Sequence, residues 1–151
     1  IAPYTEERAL ALDEDDQQVV KNLILARAYS AASSKIFTIH EELDKELNVK
    51  LAEMKTSGAK AEDLEKLQQE AAFKKAPGNY HLGMIQHLQG SYDFAKNYYQ
   101  TAKTAADAVK ITDKAAFYQK ALNEIDEMLK SRETLQEQKT ENKQDTGYQA
   151  Q

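Results

Sequence analysis

"NYHLGMIQHLQGSYDFAKNYYQTAK", residues 79–103, is the stretch whose reading decides how the chain is built. Gly90-Ser91 divides it, because a glycine tolerates the left-handed conformation that closes a helix and a serine hydroxyl can cap the helix that follows. The stretch therefore predicts two antiparallel helices joined by a very short turn. Gly83 falls inside the first helix, where it costs about 1 kcal/mol relative to alanine, so it marks a close approach of another element. Ala95 is the small residue expected opposite it, with Leu82, Tyr92, Tyr99 and Ala102 filling the interface around the pair.

Beyond the hairpin the composition points the same way. Only five glycines and two prolines interrupt 151 residues that are 41% apolar and 30% charged, which favours one all-α domain able to bury its own core. Acidic "DEDD" at 13–16 suits the positive end of a following helix dipole. Val20, Leu23, Ile24 and Ala28, then Ile36, Ile39, Leu43, Leu47, Leu51 and Met54, recur at helical steps. Ser33-Ser34 is the expected break between two helices there, with Ser34 as a cap, and a single helix of about 40 residues is the alternative. "TSGAK" around Gly58 reads as a loop, and the helix carrying Leu64, Leu67 and Ala71 is expected to stop before Pro77-Gly78. Thr112 is the expected cap of a long last helix with Tyr118, Leu122, Ile125, Leu129 and Leu135 along one stripe. The organisation read from these signals is an arm or short helix over 1–12, a helical domain over 13–139 and a polar tail over 140–151. The tail has almost nothing to bury and reads as disordered unless another chain covers it.

Leu82, Gly83, Gly90, Tyr92, Ala95, Tyr99 and Ala102 stand where the pattern of a tetratricopeptide repeat would put them, and residues 77–109 resemble one such repeat. Asn79, Gln86 and Asp107 depart from it where a Trp, a Tyr and a Pro are usual, and a shift of 34 residues finds no second copy. The resemblance implies antiparallel helical hairpins stacked as an array or bundle, with neighbouring helices covering the faces that one repeat leaves open. It further implies a concave face presenting Tyr80, Met84, His87 and Leu88, with Tyr98 as a further candidate. The Lys, Asn and Arg set of the family's best-known carboxylate clamp is missing, so the partner implied is an apolar helix or an extended segment. The same spacing also allows Tyr80 and Met84 to be core residues beneath a neighbouring helix.

Residues suited to catalysis do not gather in the sequence. With no cysteine there is neither a thiolate site nor a disulfide. The three histidines, His40, His81 and His87, form no Glu-x-x-His or His-Glu-x-x-His pattern, and they are expected at the surface or partly packed. Acidic residues sit in i,i+4 pairs with lysines, as in Glu41–Lys45 and Glu62–Lys66, which are solvated helix faces. No enzyme, cofactor or metal site is expected.

Residues 1–70 carry 15 acids against 9 bases, and residues 71–151 carry 10 against 11, so no clustered cationic face points to nucleic acid. The apolar run near "VVKNLILARAY" is interrupted by Lys21 and Arg27, which argues against a membrane span. The chain opens at Ile1 and not at Met, which leans towards a processed, exported or periplasmic form. The function expected from all of this is a protein–protein interaction module, an adaptor or assembly subunit of a larger complex. The alternative is a homo-oligomeric structural subunit built on long bundle helices.

Overall fold

A computed structural model describes Tyr4 and residues 15–149, with side chains for Tyr4 and residues 17–142. Apart from Tyr4, the arm expected over 1–12 lies outside the described residues. Among the described residues five helices follow one another: α1 (Asp15–Leu25), α2 (Tyr29–Thr56), α3 (Ala61–Leu88), α4 (Tyr92–Ala108) and α5 (Thr112–Gln149). They pack against each other as a bundle, and among the described residues there is no strand. None of these helices is long and apolar enough to cross a membrane.

The four junctions share one device. Arg27, Gly58, Gly90 and Lys110 all take positive φ, at 61°, 74°, 82° and 60°. In each case the amide of the next residue reaches back to a carbonyl of the preceding helix: Ala28 to Leu23, Ala59 to Met54, Ser91 to Gln86 and Ile111 to Ala106. These bonds satisfy carbonyls that a helix end leaves open. The break expected at Ser33-Ser34 therefore lies earlier, at Arg27, and α2 runs through both serines with Ala32 and Ile36 buried on either side of them. Ser91 precedes α4 without a side-chain cap bond, and Thr112 is the first residue of α5 and not a cap ahead of it.

Pro77-Gly78 does not end α3, which continues to Leu88. A proline inside a helix costs about 3 kcal/mol. Here the helix beyond it buries Tyr80, Leu82, Met84 and Ile85, each worth roughly 1.5–3 kcal/mol, so packing outweighs the local cost. Gly78 serves contact: a Cβ there would run into His40 Nε2 and come within 3.1 Å of Ile36 Cγ2, so its absence lets α2 lie close.

The tail expected to be disordered from residue 140 is helical to Gln149. Its Gln, Glu and Lys residues are good helix formers, and they extend a helix already nucleated by the core. Burial nevertheless fades along α5: Tyr118, Leu122 and Ile125 are buried, Leu129 is half-buried and Leu135 is exposed.

Candidate interaction groove

The centre of the molecule is α3, and its neighbours follow from residue identity around the helix. At about 100° per residue, consecutive side chains face different elements. Gly78 meets α2 through His40 and Ile36. Gly83 meets α4, where a Cβ would lie 2.6 Å from Tyr99 Cδ1 and 3.1 Å from the Ala95 carbonyl oxygen. The close approach expected at Gly83, opposite Ala95, is therefore in place, and Leu82, Tyr99 and Ala102 are buried with Tyr92 half-buried beside them. Tyr80 joins a ring cluster with Tyr99 at 5.6 Å, Phe117 at 5.0 Å and Tyr118 at 5.9 Å between centroids, which ties α3 to both α4 and α5.

On a third side His81 faces α1 and the chain ahead of it. Its Nδ1 is 2.6 Å from Gln17 Oε1 and its Nε2 is 2.7 Å from the Tyr4 hydroxyl. Burial pushes its pKa down to about 3, so it is held neutral. The expectation that the histidines lie at the surface or are only partly packed is corrected here: His81 has no exposure at all and His87 is 8% exposed. Two hydrogen bonds offset the desolvation of the His81 ring, which lone histidines in a sequence do not reveal.

The concave-face candidates are placed differently from expectation. Tyr80 and Met84 are wholly buried, and His87 Nδ1 lies 3.1 Å from the Tyr99 hydroxyl, which in turn donates to Met84 Sδ at 3.7 Å. These three side chains are core: for Tyr80 and Met84 that is the other outcome their spacing allowed, and for His87 it is a correction. The reason is their apolar periodicity, which faces the helix with the most apolar surface to cover. Leu88 and Tyr98 are half-buried against that core.

One strip of α3 is left over. Gln68, Ala72, Lys75 and Asn79 lie within about 60° of each other around the helix axis, between the directions of α2 and α4. They form the floor of an open groove of about 620 Å³, with His40 and Leu47 of α2 on one wall and Thr101, Thr104 and Ala105 of α4 on the other. Phe94 and Tyr98 continue the α4 wall at helical spacing, on the stripe 94, 98, 101, 105, 108, and Phe94 is 64% exposed. Tyr98 shares that stripe of α4 but is not among the residues that line the groove.

The lining is mostly neutral. Its charged side chain, Lys75, is paired with Asp44 of α2. His40 Nε2 is buried with no hydrogen-bond partner, and burial first, then the Lys75 charge, lowers its pKa, against smaller contributions from the Lys75 backbone and Asp44. Amides and hydroxyls on an alanine floor can hydrogen-bond a peptide backbone and let it come close. Among the described residues no three metal-binding side chains gather. No protein-family model, curated protein or solved structure matches the chain.

The groove residues were missed by the sequence reading because small and amide side chains leave no hydrophobic signal. The signal they do leave is a strip of Gln, Ala, Lys and Asn at helical spacing that runs into the buried second half of α3.

Proposed function

We propose that the chain is a non-enzymatic interaction module, an adaptor or assembly subunit, that holds a partner's extended segment in the groove between α2, α3 and α4. The observation that carries this reading is the open groove itself, lined by amides, hydroxyls and small residues of α2, α3 and α4, where α3 enters its buried segment at Ala76. An extended segment is favoured over a helix because a helix satisfies its own backbone, whereas an extended chain needs the hydrogen bonds that Gln68, Asn79, Gln100 and Thr101 can give. The tetratricopeptide-like reading of residues 77–109 belongs to the same proposal, supported by the Gly83–Tyr99 contact and the Gly90 turn.

The test is capture of partners from cell extract by wild type, Ala72→Arg and Glu137→Arg at matched folded fraction. Ala72 is exposed on the groove floor, so the arginine fills the groove without entering the core. Glu137 is exposed on α5, outside the groove. The reading expects a partner that is lost with Ala72→Arg and kept with Glu137→Arg. A partner indifferent to Ala72→Arg sinks it.

A structural subunit that self-associates is the second reading. It draws on α5, which passes Asp93 near the start of α4 through the Arg132 ion pair at 3.1 Å and then continues to Gln149 with exposed side chains through Asn142.

A further inference from the structure

Tyr4 stands well ahead of α1 in sequence, yet its ring is 5% exposed and inserted against α3. The ring meets His81 edge-on, with centroids 5.5 Å apart and planes at 79°. Its hydroxyl is 2.7 Å from His81 Nε2. Gln17 presents its side-chain oxygen to Nδ1 at 2.6 Å. An oxygen of that kind only accepts, so the proton of the neutral ring is on Nδ1, and Nε2 is left as an acceptor. A phenol O–H is the donor that fits there. Gln17 on α1 thereby sets the tautomer that makes His81 receptive, and the ring of Tyr80, tilted at 54° and 5.4 Å from His81 between centroids, packs beside it.

The geometry points to a tyrosine-recognition socket on α3, built from His81, Gln17 and Tyr80, whose resident occupant is the chain's own Tyr4 bound in cis. The socket is a binding site for a phenol, with shape supplied by the ring contacts and selectivity by the buried acceptor. It faces away from the groove: His81 lies about 200° around α3 from Asn79. This inference therefore stands whether or not the groove holds a partner. A group that is buried and lacks its donor costs free energy, so the socket favours p-cresol over toluene, which has the same ring without the hydroxyl.

The experiment uses the full chain. Tyr4→Ala should lower the thermal midpoint by about 10 °C, the loss expected for emptying an aromatic site in a domain of this size. Added p-cresol should raise the midpoint of Tyr4→Ala again by several degrees and toluene by less, while neither moves wild type, whose socket is filled. If Tyr4→Ala is unfolded at the assay temperature, the same rescue is read as helicity recovered by circular dichroism on adding p-cresol. Equal rescue by toluene overturns the phenol selectivity, and no rescue by either ligand overturns the socket. Tyr4→Phe gives an independent reading, since it keeps the ring and removes the donor. The ¹⁵N resonance of His81 Nε2 should shift while Nδ1 stays protonated, and an unchanged Nε2 resonance overturns the hydrogen bond on which the proposal rests.

Discussion

His81 cannot take a proton without carrying a charge in a fully buried place, since Gln17 and a turned Tyr4 hydroxyl can both accept from the charged ring. Its folded pKa, near 3, lies below the 6.5 of a free histidine because burial penalises the charged form. Between those values the unfolded chain binds the extra proton, so the stabilisation is complete above about pH 6.5 and is lost as pH falls towards 3. Urea unfolding at pH 7 and pH 5 should show wild type losing about 2 kcal/mol from this site, at about 1.4 kcal/mol per pH unit below 6.5. His81→Gln should remove most of that slope; an equal slope in the variant sinks the assignment. His40, lowered in the same direction, adds to the wild-type slope and persists in the variant. At this scale the sequence shows some things and hides others. Gly83 announces a contact because a mid-helix glycine is costly without one, and Tyr99 and Ala95 supply it. His81 announces nothing, because its partners are 64 and 77 residues away in sequence.

Helix boundaries were legible where glycine closes the helix, and at Thr112 from a cap-type residue, but hidden at Arg27. Gly58 and Gly90 mark their junctions openly, whereas Arg27 and Lys110 adopt the same left-handed conformation with a Cβ in place. That conformation costs an L-residue roughly 1–2 kcal/mol, and a glycine avoids the cost while giving back about 0.5–1 kcal/mol in chain entropy. Lys110→Gly should therefore stabilise the chain by about 0.5 kcal/mol, read as a higher urea midpoint with an unchanged slope. A lower midpoint means that the Lys110 side chain contributes something that its backbone conformation does not reveal. The same physics explains why the first break was expected at Ser33-Ser34: those serines are compatible with a break, but Ala32 and Ile36 are buried and hold the helix together across them. Pro77-Gly78 misled in the opposite sense, as a breaker overridden by tertiary packing on both sides.

The whole molecule has two unequal parts, a core around α3 and a single helix that leaves it. Ion pairs Lys96–Asp126 at 2.8 Å and Arg132–Asp93 at 3.1 Å join α5 to α4. Beyond them, residues 133–142 are all exposed, and Leu135 at 57% exposure is too isolated to form a seam. The all-α class was legible because breakers are few and apolar residues recur at helical steps; the groove was not, because it arises only when three helices surround a fourth face. Ending the chain after Arg132 separates the two parts. None of the described side chains of the removed segment, 133–142, is buried, so the thermal midpoint should move by no more than about 2 °C, given that a loss of 1 kcal/mol shifts it by about 2–4 °C in a domain of this size. Under the groove reading the shortened chain keeps both its mass in light scattering and its partner. Under the structural-subunit reading it drops to a monomer, because the projecting helix is the surface through which copies join. A large fall in thermal midpoint for a shortened chain that was already monomeric contradicts both, since it requires burial that the exposed side chains of 133–142 do not provide.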